Sequence, residues 1–344
     1  GFLLYFDKKT NKLEAYDGRE FAPSSAHSKI FLNNNNHKLN FMNAITKTDS
    51  VGIPGLYNML ADAHKEYGFL KWEHLFHDSL TYSKGFIVSK RLSKLLEWGK
   101  HIKTDEYAIK IYYADNKPKR EGDIIKNDKL YFSLKELSKN AYSIKNGKLA
   151  VLISEKLKKK ITLEDLKSWE TIKREPLCKK YFSYFICGFP PPTSGGVGVL
   201  QILGILENFK NKKNLLVSQH LFLEASRLSY NDRDVFIADP KFFDVPVDGL
   251  LSKDYLQRRA NLINTFKSNH KTKSGNPYKS SSNKMIQAIS TERPSTTHIS
   301  IVDKYGNVAA LTSSIEFAFG SGKTVGGFFL NNQLTDFSFN PYDQ

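Results

Sequence analysis

Thr296 and Ser314 are the residues of this 344-residue chain whose types and spacing could do chemistry together. Two runs with β-type alternation flank Lys304-Tyr305-Gly306, and a glycine in a three-residue loop signals a hairpin. With that loop as the turn, facing residues have numbers that sum to 610, so Thr296 faces Ser314. The Cβ atoms of such a pair lie about 5 Å apart. A threonine hydroxyl alone is a poor nucleophile, but a threonine at a chain N-terminus carries its own base, the free α-amine. That amine has a reference pKa of about 7.7–8.0, so a useful fraction is unprotonated near neutrality. The terminus would be made by cutting between Ser295 and Thr296. The Thr296 hydroxyl attacks the Ser295 carbonyl, and water hydrolyses the resulting ester. Such a threonine is expected to be buried. On these residues alone, two threonines on a half-exposed strand fit at least as well.

The wider context adds an ordered series. After Thr296-Thr297-His298 come Val302-Asp303-Lys304-Tyr305-Gly306-Asn307, Ala318-Phe319-Gly320-Ser321-Gly322 and Leu330-Asn331-Asn332-Gln333-Leu334-Thr335-Asp336-Phe337-Ser338. Upstream stand Tyr16-Asp17-Gly18-Arg19-Glu20-Phe21-Ala22-Pro23, Val51-Gly52-Ile53-Pro54-Gly55, Pro190-Pro191-Pro192-Thr193-Ser194-Gly195-Gly196 and Val247-Asp248-Gly249-Leu250-Leu251-Ser252. Together they resemble the γ-glutamyltranspeptidase family of N-terminal-nucleophile hydrolases, in that family's order and over nearly the whole chain.

The resemblance implies an α+β fold, the four-layer αββα sandwich, here incomplete. It implies a self-processing γ-glutamyl hydrolase or transpeptidase, made as one precursor and cut into large and small subunits. Residues 1–295 match the large subunit, with 266–295 a basic linker to the cut, and 296–344 match the start of the small one. Thr296 is then the nucleophile on a γ-glutamyl amide such as glutathione, and the acyl group passes to water or to an amino-acid or peptide amine. Ser314 matches the second hydroxyl that orients the nucleophile, with Thr312 on the same strand face as a fallback. Arg19 matches the group that holds the substrate α-carboxylate. Asp336 matches the acid that takes the α-ammonium, with Gln333 as a neighbouring polar contact. Glu316 stands where the best-known transpeptidases have Asn; a carboxylate there would repel an α-carboxylate and favour an ammonium. Ser-Ile-Glu at this place resembles the branch with glutaryl-cephalosporin acylase-like enzymes, so a glutaryl or cephalosporin-type amide acylase is the alternative. No cofactor or metal is implied, and the compartment implied is periplasmic or extracellular, the cytoplasm being left open. The family's Ser-Ser and Gly-Gly pairs lie beyond Asp336, and its leading strand and helix lie before Gly1, so this chain is expected to be a fragment.

The elements that must position these residues are legible as patterns. Gly1 to Phe6 reads as a buried-strand run, followed by a second strand ending near Asp17. Apolar residues at helical spacing mark 56–67, 72–83, 89–103, 130–146, 197–209 and 217–230, and Ser252 caps a helix over 252–264. Thr162 is an N-cap with Asp165 at the third position of a short helix running through Trp169. The stretch 180–189 is strand-rich, while 24–48 and 104–128 read as loops. Residues 266–290 are polar and lysine-rich, hence expected to be mobile.

Bulk composition narrows the remaining choices. The formal charge is 51 − 35 = +16 with 40% hydrophobic residues. Such a charge suits a polyanion, which makes an inactive, polyanion-binding relative a further alternative. The lysines are scattered through helix faces and loops, however, and no nucleic-acid partner is expected. No run reaches the roughly 18 apolar residues of a spanning helix. Cys178 and Cys187 are expected as unlinked thiols, without metal-ligand spacing. The run 190–196 lacks a P-loop lysine and reads as packing against the helix that follows. His220 reads as a satisfied helix histidine. Asp232 and Asp234, with Arg233 and Arg227 nearby, read as ordinary salt bridges.

Overall fold

Seven strands carry the architecture in this computed structural model: β1 (Phe2–Asp7), β2 (Lys12–Asp17), β3 (Ile172–Arg174), β4 (Leu177–Tyr181), β5 (Tyr184–Gly188), β6 (Thr297–Val302) and β7 (Val308–Ser313). The structure describes residues 1–209, 215–269, 271–278 and 296–341. Ser295 and most of the linker expected over 266–295 lie outside them. Five strands form one sheet in the order β6–β7–β1–β2–β3, antiparallel at every pairing.

Because side chains alternate across a strand, the register sorts this sheet into two faces. Leu3 pairs with Tyr16 on one side and Leu311 on the other. That face packs on helices Leu56–Tyr67, Asp128–Lys139, Lys148–Lys156 and Leu163–Ser168 through Met59, Leu137, Ile153 and Leu166. On the opposite face, Phe2, Leu4, Ala310 and Thr312 look across a cavity of about 270 Å³ to the β4–β5 hairpin and helix Gly195–Leu206. The rings of Phe2 and Phe189 meet there at 4.7 Å. Val197 and Leu200 of that helix pack with Leu177 and Ile186 of the hairpin. Its far side packs on helices Leu215–Phe236 and Lys253–Ala260 through Ile205, Leu228 and Leu256. The layers therefore run helices, five-stranded sheet, two-stranded hairpin, helices. Residues 190–196 do serve packing: a Cβ on Gly196 would lie 2.1 Å from the Phe189 carbonyl oxygen, so only glycine fits.

Several sequence expectations hold at the level of single hydrogen bonds. Thr162 and Asp165 form a reciprocal capping box, and the Ser252 hydroxyl accepts from the Tyr255 N–H. His220 Nε2 donates to the Asn264 carbonyl at 2.8 Å.

Others are corrected. The helix expected over 130–146 is two, Asp128–Lys139 and Ser143–Asn146. Asn140 adopts an extended backbone and its side chain accepts from the Tyr142 N–H, which ends the first helix. The supposed loop 104–128 holds helix Glu106–Tyr112, capped by buried Asp105. Burial opposes ionisation of Asp105, but Lys156, Thr324 and the Ala108 N–H outweigh it and pull its pKa down to about 2. The helix expected over 217–230 runs from Leu215 to Phe236. Asp232 pairs not with its sequence neighbours but with Arg259, at 3.1 Å and almost wholly buried. Arg233 sits near Asp234, and Arg227 near Glu224. Cys178 and Cys187 are joined in a disulfide, not free, because the hairpin sets them directly opposite one another.

Candidate functional site

The register of β6 against β7 places Thr297 opposite Ser313, so Thr296 and Ser314 face each other just beyond the ladder. The Thr296 hydroxyl donates to Ser314 Oγ at 3.1 Å, and Ser314 Oγ also accepts the Glu316 N–H at 3.0 Å. Thr312 lies on the same face, but its hydroxyl is engaged with His298 Nδ1 at 2.8 Å, one side-chain repeat away from Thr296. Thr296 is exposed, not buried as expected. The cause is topological: β6 is an edge strand of the described sheet, and every one of its residues is exposed.

Arg19 leaves β2 at the same end of the sheet. Gly18 N–H donates to the Gly1 carbonyl at 2.9 Å, and β1 lies between β2 and β7. Ser314 and Arg19 are therefore separated by two interstrand steps of about 4.8 Å each. The Arg19 backbone is held on both sides, its N–H donating to Asp17 and its carbonyl accepting from the Trp169 indole N–H. The guanidinium reaches Asp336 Oδ2 at 2.6 Å. Gln333 Nε2 donates to the same oxygen, also at 2.6 Å.

Gln333 and Asp336 occupy one 3₁₀ turn, Gln333–Asp336. Two preceding asparagines, to which sequence reasoning assigned no role, anchor it. Asn331 is buried and its amide bonds both backbone groups of Gly52, each at 2.9 Å. Asn332 is fully buried; its Oδ1 accepts the Phe317 N–H at 2.9 Å and its Nδ2 donates to Glu316 Oε2 at 3.3 Å. One asparagine thus ties the turn to residues 51–53, the other to the bend after Ser314. An Asn-Asn pair within the motif was the available signal, since a buried amide bonds two backbone groups at once. Glu316 itself has φ 74, a left-handed conformation uncommon outside glycine.

Chemically, the arrangement sets a paired hydroxyl at the same end of the sheet as a cation and a carboxylate that neutralise each other. It also brings together six of the residues singled out from sequence: Thr296 with Ser314 and Glu316, and Arg19 with Gln333 and Asp336, the two groups joined through Asn332. Among the described residues no helix is long and apolar enough to cross a membrane.

Comparison with known proteins follows the same lines. A family model described as Gamma-glutamyltranspeptidase matches residues 1–344. The glutathione hydrolase proenzyme of Bacillus subtilis strain 168 is 33% identical over 352 aligned positions, covering 98% of this chain and 60% of that protein. That of Escherichia coli K12 is 31% identical, with 99% and 59% covered. The γ-glutamyltranspeptidase structure from Helicobacter pylori superposes with a TM-score of 0.71 at 26% identity, covering 78% of this chain and 80% of that one. A cephalosporin acylase structure from Bacillus halodurans superposes at 0.81 over 99% of this chain and 62% of its own; at 22% identity it shows the fold alone. The chain spans about 60% of the length of the curated relatives it matches.

Proposed function

The chain belongs to the γ-glutamyltranspeptidase family, and from that premise we propose that it forms the γ-glutamyl site of a self-processing hydrolase or transpeptidase. The observation that carries this reading is the Thr296–Ser314 hydroxyl pair at the same end of the sheet as the Arg19–Asp336 ion pair. Cleavage before Thr296 gives it a free α-amine. Its Oγ then attacks the γ-carbonyl of a γ-glutamyl amide while the amine takes the hydroxyl proton and returns it to the leaving amine. Water or an amino-acid or peptide amine attacks the acyl-threonine ester and releases the enzyme. Ser314 holds the Thr296 oxygen in line.

The substrate's amino-acid head is a zwitterion, and the Arg19–Asp336 pair is its mirror image. Arg19 and Asp336 can each exchange their mutual contact for a substrate charge, carboxylate to Arg19 and ammonium to Asp336, without leaving a charge unpaired. Positioning by both charges at once holds one carbonyl over one hydroxyl. Hydrolysis of a γ-glutamyl anilide by the full-length, processed protein tests the reading. The large and small subunits would arise from the one precursor and stay together.

Glu316 separates this from the acylase alternative. Its carboxylate, which accepts from Asn332, stands where the family's Asn meets the amino-acid head and would add negative charge for the ammonium; a glutaryl donor has no ammonium to meet it. Glu316→Asn is expected to lower the preference for γ-glutamyl over glutaryl anilides by about tenfold, one charge-assisted contact. An unchanged ratio of kcat/KM values removes Glu316 from head-group recognition.

The Cys178–Cys187 disulfide suits an oxidising compartment, and we place the protein in the periplasm or outside the cell. Thiol labelling of the protein as isolated, with and without prior reduction, checks this; two reactive thiols before reduction would refute it.

A further inference from the structure

The bend from Ser314 to Gly322 is unusually committed. Glu316, Phe319, Gly320 and Gly322 all have left-handed φ angles, 74, 64, 55 and 73°, and non-glycine residues hold such a backbone only when their surroundings fix it. What fixes it here comes from another part of the chain. His101, in the 3₁₀ turn Lys100–Thr104, is only 6% exposed. Its Nε2 lies 3.2 Å from the Gly320 carbonyl oxygen. A carbonyl can only accept, so Nε2 carries the proton. The ring also packs at 5.4 Å on Phe317, a buried residue that meets Trp98 as well, at 4.7 Å. A Cβ on Gly322 would come within 3.0 Å of this imidazole, so the fit is close. Phe317 is the residue after Glu316, and its N–H is the one that Asn332 accepts.

We propose that His101 is a positioning residue for recognition of the substrate's amino-acid head. By gripping the Gly320 carbonyl and walling the Phe317 socket, it holds the Glu316 backbone in its left-handed form and keeps the Glu316 carboxylate against Asn332. The inference rests on the γ-glutamyl reading above, but assigns a residue that touches neither substrate nor nucleophile. Burial disfavours the charged imidazole and lowers its pKa, against the pull of the Gly320 and Ala318 carbonyls.

The test uses the full-length, processed enzyme. His101→Leu keeps the bulk but removes the donor, and His101→Gln restores a donor. Loss of one neutral hydrogen bond predicts that His101→Leu raises KM for a γ-glutamyl anilide about tenfold with kcat within about threefold. The glutamine variant recovers most of the loss, and turnover of a glutaryl anilide is unmoved. An unchanged KM, a fall in kcat alone, or no rescue by glutamine overturns the assignment. Imidazole ¹⁵N shifts of the wild-type protein at neutral pH give a readout that needs neither a variant nor turnover. A ring that carries Nε2–H supports the grip, and the neutral Nδ1–H tautomer, whose Nε2 cannot donate, overturns it. Absence of γ-glutamyl turnover by the wild type would count against the functional reading, while the tautomer still decides whether His101 grips the Gly320 carbonyl.

Discussion

Thr296→Ala in the full-length precursor is expected to leave one uncut polypeptide, with γ-glutamyl anilide turnover lowered on the order of 10⁴-fold or more, as for loss of other catalytic nucleophiles. Both losses follow from one atom. On the proposed reading the Thr296 hydroxyl, 3.1 Å from Ser314 Oγ, both breaks its own upstream peptide and then attacks substrate. Thr296→Ser keeps an oxygen in place and is expected to be cut, more slowly, giving a small subunit that begins with serine. Ser314→Ala removes the partner and not the nucleophile, so its effect on turnover should be much smaller, about tenfold, the size of one lost hydrogen bond. Intact mass and N-terminal sequencing of each variant read the cut, and initial rates read the turnover. If Thr296→Ala is still divided before residue 296, another group performs the cleavage and the self-processing account fails.

How much of this was legible in the sequence depends on what kind of information each feature needs. The β6–β7 register was readable because a three-residue loop with glycine fixes parity, and parity fixes which residue faces Thr296. The caps at Thr162 and Ser252 were readable because a cap is local, satisfied within three residues. The β4–β5 hairpin was not, for the opposite reason. Its turn carries Phe182 at φ 53, a left-handed position with no glycine or asparagine to announce it, so 180–189 read as one strand and the two cysteines lost their obvious pairing. Arg259 and Asp232 lie on different helices, and nothing near Asp232 distinguishes Arg259 from the closer Arg233. The candidate site was legible as a set of residue types through resemblance, but its supports were not. Asn331 and Asn332 act on Gly52 and on Glu316, and His101 acts on Gly320; each is a long-range contact that composition and periodicity do not encode.

The Arg19–Asp336 pair yields the second large effect, and the direction of its charges matters more than their presence. The two side chains are 31% and 40% exposed, and ion pairs of that kind contribute about 0–1 kcal/mol to folding. Asp336→Asn or Arg19→Ala should therefore barely change thermal stability or self-cleavage. Each should nonetheless lower kcat/KM for γ-glutamyl amides by roughly 10–10²-fold, the loss of one charge-assisted bond, mostly through KM. A charge-swapped protein, Arg19→Asp together with Asp336→Arg, separates the two roles. It restores an ion pair across the same gap, so folding and the cut before Thr296 should persist. The substrate's ammonium would now meet arginine and its carboxylate would meet aspartate, and turnover should fall further than in either single variant. An enzyme that tolerates the swap with an ordinary KM does not read the zwitterion through these residues. Adjacency to Thr296 would then explain nothing about which amides it cleaves.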